Sequence, residues 1–426
     1  MENGLKRVNI CKGVNLSYIK NTKFKTVRLS FTMFLPLDKN WASKYAILPG
    51  ILEKSCKLYP SLAELSKKLD DLYGAAIYSG VGKLGDFQVL TVSAVCINDK
   101  FSLDGKDIVK EVAHLLREVI FNPVLDDGQF KDEQVFQERR QLVELIDAEY
   151  NDKRKFARTR CEELMFAKQR FGINKYGKRS SVQSINSNDV TLAWKNALEK
   201  AKIEIMMIGD AEFDSVIDEF TDAFKDVKRE EFEEIKEEAL IKPDKVSEYK
   251  DIMNVTQSKL VMGFRTPIML PDSKVPIMRV TAALLGGTPT SKLFTNVREK
   301  LSLCYYCLAS YNKHKGVMTI ESGVERKNIL KAKQEILNQL KLIQTGDFSD
   351  EEFNDTKKYI CQSFEKVKDS LGALDNWYVL QSMQKKINSP EDAIEEIKNV
   401  KREDVIKASK EIYLDTVYVL TDEEVK

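Results

Sequence analysis

LGGTPTSKLFTNVREKLSLCYY, residues 285–306, is the stretch from which the rest of the chain is read. Gly286 and Gly287 stop an apolar helix and permit a sharp turn. Ser291 stands where a hydroxyl caps the next helix. Leu293, Phe294, Val297 and Leu301 share one stripe of that helix. Arg298 lies one step off the stripe, near a helix end where a cation complements the dipole. A strand-like run carrying Tyr305 begins at once. An arginine and a tyrosine thus flank a helix–strand junction in a chain with only two histidines.

The order of elements around this stretch occurs twice. The first half runs from the alternating strand TVRLSFTMFLPL at Thr26, through a helix after Asn40, to the hairpin GAAIYSGVGKLGDFQVLTVSAVC. It continues with two long helices, the second reaching about Lys153, and closes with NSNDVTLAWKNALEKAKIEIMMIGD. The second half repeats the order with VTQSKLVMGFRTPIM, RVTAALLGG, SLCYYCLASYNKHKGVMTIESGV, two further long helices and KREDVIKASKEIYLDTVYVLTD. Phe130 pairs with Phe353 and Val190 with Val405 as landmarks. A copy of about 200 residues is far longer than a solenoid repeat. The expected architecture is α+β: two homologous domains, each an antiparallel-rich sheet with helices packed on one face. Residues 1–230 form one, 251–426 the other, and the charged stretch 231–250 joins them.

Composition narrows the function. Sixty-seven basic side chains stand against 66 acidic ones, which argues against nucleic-acid binding. No run is apolar and long enough to cross a membrane, and the start, MENGLKRVNICKGVNL, lacks the apolar core of a secretory leader. Seven scattered cysteines suit reduced thiols in a cytoplasmic setting. His114 falls on the wet face of KEVAHLLREV and His314 at a polar hairpin tip, so both read as solvated surface residues. Cys304 and Cys307, three apart on a strand, are expected on opposite faces and hence not a metal pair. No nucleophile–base pair, phosphate loop or dinucleotide fingerprint is present, and GVGKLG at 80–85 reads as turn glycine.

The glycines, then Ser291, Leu293 and Phe294, then Arg298, Glu299 and Lys300, then Tyr305, resemble the second-half pattern of the insulinase-type zinc metallopeptidases. These carry an inverted zinc motif and include mitochondrial processing peptidase. The resemblance runs over essentially the whole chain. Active members carry H-x-x-E-H on a first-half helix, with both histidines on zinc and the glutamate activating water. The corresponding stretch here, YAILPGILEKSCKLYPS, puts Gly50, Glu53 and Lys54 at those positions. Glu53 survives, but Gly50 and Lys54 cannot hold zinc, and Pro49 kinks or starts the helix. The third zinc ligand of the family is a glutamate on the helix that reads QERRQLVELIDAEY. Glu138 and Glu144 stand there, each most simply on an exposed helix face.

The resemblance implies a member that lost its metal and kept Arg298 and Tyr305, as in bacterial pairs where one subunit bears zinc and the other does not. The expectation is a subunit inert alone, with no cofactor or metal, that binds peptide substrate through Arg298, Tyr305, Gly286 and Gly287. It serves a zinc-motif-bearing homologous partner as a heterodimer, or pairs with itself. The alternative is a purely structural or peptide-holding subunit without a role in turnover.

Overall fold

The computed structural model describes residues 4–233, 235 and 242–423. Two compact units emerge. The first comprises Met1–Ile146, Ile173–Ile235 and Lys368–Ile387; the second comprises Asp147–Gly172, Lys236–Val367 and Asn388–Lys426. Each therefore takes one segment from the other half of the sequence. The packing units differ from the contiguous stretches 1–230 and 251–426 in those two segments.

The first unit is built on strands β1 (Leu5–Cys11), β2 (Val14–Lys20), β3 (Thr26–Pro36), β4 (Ala76–Leu84) and β5 (Phe87–Ile97). After the two-residue strands β6 (Leu125–Asp126) and β7 (Gln129–Phe130), which pair with each other, comes β8 (Lys202–Gly209). The large sheet has the order β1-β2-β8-β3-β5-β4. The second unit holds β9 (Ser247–Ile252), β10 (Ser258–Arg265), β11 (Cys304–Asn312), β12 (Val317–Val324) and β13 (Tyr413–Thr421). Its sheet has the order β11-β12-β10-β13-β9. Strand for strand, β4, β5, β3, β8 and β2 correspond to β11, β12, β10, β13 and β9. In both sheets the corresponding pair, β2 with β8 and β9 with β13, is the parallel one, and the first sheet adds β1 antiparallel outside β2. The duplication is thus visible in topology as well as in sequence order.

The α+β class stands, with two differences in detail. Phe130 corresponds to Phe348 rather than Phe353: each lies two residues before its helix, Asp132–Asn151 or Asp350–Glu365. Val190 and Val405 do match, each three residues into its helix. The charged stretch 231–250 ends as strand, because Ser247–Ile252 is β9. Its period-2 signal is erased by the charges of an exposed edge. Glu234 and residues 236–241 lie outside the described residues, and with them that part of the expected linker.

Strand alternation explains the layering. In β3, Val27, Leu29, Phe31, Met33 and Leu35 join one buried cluster with Val112, Leu115, Leu116 and Val119 of the helix Ile108–Phe121. Arg28 and Ser30, pointing the other way, meet Asp375 at 2.9 and 2.6 Å. Asp375 belongs to the helix Leu371–Val379, the segment taken from the second half. In the second unit, Ala157 and Cys161 of Lys153–Met165 pack on Val261, Tyr418 and Leu420. That helix is capped afresh by Asp152, whose carboxylate accepts from the N–H groups of Arg154 and Lys155. The long helix expected to end near Lys153 breaks there and continues onto the second sheet.

Candidate functional site

Gly50 sits in the short helix Leu48–Leu52, which Pro49 starts rather than kinks. Glu53 is its C-terminal cap and Lys54 follows. Across from them runs Asp132–Asn151, with Glu138 buried. The Lys54 ammonium donates to the Glu138 carboxylate and to Gln141 Oε1 at 3.2 Å. Gly50 faces the same carboxylate: a Cβ there would lie well inside van der Waals contact distance of Glu138 Oε2. Glu53 accepts from Ser79 of β4, the outer strand of its sheet. Burial raises its carboxyl, against the opposing pull of Ser79 and Lys54. Gly50, Glu53, Lys54 and Glu138 are therefore one cluster beside β4, the outer strand. Glu144 stands apart, exposed and 3.5 Å from Arg140.

This cluster does not fit a divalent metal. Gly50 offers no donor atom, and the one buried carboxylate is already neutralised by an ammonium. Among the described residues no three His, Cys, Asp or Glu side chains are grouped as ligands. Glu138 departs from the exposed-face expectation because the helix Asp132–Asn151 turns that residue inward onto Lys54. Gln141 and Ser79 carried no signal in the sequence.

In the second unit the helix breaks at Gly286, whose backbone is non-helical (φ −157°, ψ 16°), and the same glycine is tightly packed. A Cβ on it would lie 2.6 Å from Ala309 N and 2.8 Å from Leu293 Cδ1. Neither Gly286 nor Gly287 has a positive φ, so close approach to β11 is what requires glycine at 286. Ser291 does not cap the next helix: its hydroxyl donates to Thr288 O at 2.7 Å. The segment Leu293–Lys300 winds as a π-helix, buries Leu293 and Val297, and leaves Leu301 exposed at its end. Arg298 lies over the Phe294 ring at 4.7 Å and pairs with Glu299 at 3.2 Å.

Tyr305 is the extra residue of a β-bulge. Cys304 stands opposite Val324 and Tyr306 opposite Gly323, which leaves Tyr305 unpaired on β11. Bulges re-aim side chains, and Tyr305 is 66% exposed. The bulge also overturns the alternation argument for the cysteines. Cys304 and Cys307 face the same side of β11 and are both buried.

Of the histidines, His114 keeps a side chain 42% exposed, as a surface residue does, and His314 departs from expectation. His114 bonds Glu219 at 2.8 Å. His314 is half-buried, because the hairpin tip is held by the loop before Pro271 through Leu270 N–H donating to Lys313 O. Burial, then Lys313 and Arg279, pull its imidazole down to about 3.

The two sheets and this cluster define a duplicated metallopeptidase architecture with no metal-binding constellation among the described residues. Comparison with known proteins agrees. The family described as "Peptidase M16 inactive domain" matches residues 184–360. The "Probable inactive metalloprotease YmfF" of Bacillus subtilis (strain 168) is 32% identical over 97% of this chain and 96% of that protein. A conserved protein from Enterococcus faecalis V583 superposes with a TM-score of 0.92 at 26% identity, covering 99% of each chain. A protease from Helicobacter pylori, at 14% identity, shares the fold with a TM-score of 0.81 over 98% of this chain and 99% of its own. The chain belongs to the M16 peptidase family, and within it is an inactive metalloprotease homologue. No helix among the described residues is long and apolar enough to cross a membrane.

Proposed function

We propose that this chain is the non-catalytic subunit of a zinc-peptidase pair, binding peptide and supplying Arg298 and Tyr305 in trans to a homologous partner that bears the zinc motif. In this reading 1–230 and 251–426 are copies of one ancestral domain joined at 231–250. The first has exchanged its metal position for an internal ion pair, and the pair works in the cytoplasm. The observation that carries the reading is the contact of Lys54 with Glu138 against Gly50: a tethered ammonium neutralises the carboxylate where the family's motif would place a metal.

Peptide hydrolysis builds negative charge on the scissile carbonyl oxygen. A guanidinium and a phenol O–H are donors suited to that oxygen, or to the neighbouring peptide backbone. Tyr305, lifted out of its strand by the bulge and two-thirds exposed, is free to donate outward. Gly286 brings the junction hard against β11, which fixes where Arg298 and Tyr305 start. Glu53 and Lys54 beside β4, the outer strand, mark a place where an extended peptide adds a strand.

A purely structural or peptide-holding role is the second reading. It is favoured by the Arg298 side chain, which is already engaged by Phe294 and Glu299. The experiment that separates the readings is reconstitution with a zinc-motif-bearing homologue, followed by peptide cleavage kinetics and light scattering. The first reading expects Arg298→Ala and Tyr305→Phe each to cut kcat by about a hundredfold while the hetero-pair still assembles. Unchanged kcat in both variants would leave the structural role. A chain that forms only homodimers would remove the trans-acting partner.

A further inference from the structure

The duplicated sheets end differently. In the first, β1 lies antiparallel outside β2, with Lys6 opposite Tyr18 and Val8 opposite Leu16. In the second, β9 is the counterpart of β2 and is the outermost strand among the described residues. It carries apolar surface: Val246, Tyr249 and Ile252 are 43, 39 and 47% exposed. The helix layer beside it is exposed in the same way. In the first unit the helix Asp214–Ala223 packs on Ile108–Phe121 and on β1, and Val109 is 4% exposed. Leu330, which like Val109 is the second residue of its helix, is 80% exposed. One turn further on, Lys333 bonds Glu248 of β9 at 2.5 Å. Among the described residues the second unit has no counterpart of β1 or of Asp214–Ala223.

The main chain of β9 fixes which residues can receive a further strand. Met253 N–H donates to Thr421 O of β13 at 2.9 Å. The register with β13 is unbroken from Ser247 to Ile252. Alternation therefore directs the N–H and C=O groups of Tyr249 and Asp251 at β13, and those of Glu248, Lys250 and Ile252 outward.

We propose that β9 is the contact edge of a homodimer, in which two copies of this chain pair antiparallel about a two-fold axis at Tyr249. Each copy then supplies the strand that β1 supplies in the first sheet. Glu248 stands opposite Lys250 of the second copy, and Lys250 opposite its Glu248, so the outward-facing groups exchange hydrogen bonds between opposite charges. Val246 meets Ile252 of the second copy at each end, and the two Tyr249 side chains are neighbours at the axis. The patch is thus self-complementary, as a two-fold contact requires. Moving the axis to Glu248 or to Lys250 sets like charges opposite each other, which destabilises a pair. Moving it between residues opposes an outward-facing residue to an inward-facing one. Edge charges ordinarily deter pairing; those of β9 select one partner and one register.

The test is sedimentation velocity on the full-length chain alone over a range of concentrations. It needs no zinc-motif-bearing partner, so it stands apart from the reconstitution with Arg298→Ala and Tyr305→Phe. The wild-type chain is expected to dimerise. Glu248→Lys and Lys250→Glu each turn two attractive pairs into two repulsive ones, and each should weaken the dimer by about tenfold or more. An equimolar mixture of the two variants again faces lysine with glutamate and should restore it, which a misfolded variant could not do. A wild-type chain that stays monomeric at every soluble concentration overturns the proposal. Hydrogen exchange at Lys250 and Ile252 of that monomer then separates a cover supplied by the chain itself, which protects them, from an edge left to a different protein. A dimer that both variants leave unchanged also overturns the proposal, and so does a mixture that pairs no better than either variant alone.

Discussion

Removing the Lys54 ammonium leaves the Glu138 carboxylate buried without its counter-charge. Lys54→Met is therefore expected to destabilise the chain by about 3 kcal/mol, read by urea unfolding. A loss under about 0.5 kcal/mol would place the pair among surface ion pairs. His314 gives a pH signature. Its folded imidazole titrates at about 3 against the ordinary 6.5, so between those values the unfolded chain holds the extra proton. Stability contributed there is intact above the unfolded value and falls as pH drops, by up to about 1.4 kcal/mol per pH unit. His314→Asn should remove that slope from pH 6 to 4; parallel wild-type and variant curves would contradict it. Gly50 and Lys54 were legible in the sequence because a missing side chain and a fixed cation are chemical facts wherever they fold. The shared face of Cys304 and Cys307 was not, because one bulged residue changes the face and nothing local announces it.

At the scale of elements, tight packing of the glycine junction on β11 predicts that Gly286→Ala costs about 1–3 kcal/mol, since its Cβ would meet backbone at 2.6 Å. Gly287→Ala, whose nearest contact is 3.3 Å, serves as the control; equal losses would refute the packing argument. The helix Leu371–Val379 is fixed to β3 by a buried ion pair, with Asp375 2.9 Å from Arg28. Asp375→Ala strands that arginine and should cost about 3–5 kcal/mol in the same unfolding assay; a near-neutral Asp375→Ala would mean that apolar packing alone holds the helix. The hairpins and long helices were readable because amphipathic periods survive in them. SEYKDI was not, since an edge strand in water carries charges where a core strand shows alternation. The crossing of two helices between units also escaped, because hydrophobic pattern says that a face is buried but not against what.

For the whole molecule, duplication was readable from element order, and the matching strand orders, each with its one parallel pair at the corresponding place, bear it out. Packing divides the chain differently, into units that each include a helix from the other half. With the Lys54 ammonium held on Glu138, the chain carries its own cation and is expected to bind no catalytic metal. The direct measurement is zinc per polypeptide by elemental mass spectrometry, after the purified chain is incubated with excess zinc and desalted. The account predicts far less than one zinc per chain, with Glu138→Gln making no difference. One zinc retained per chain and lost on Glu138→Gln would contradict it.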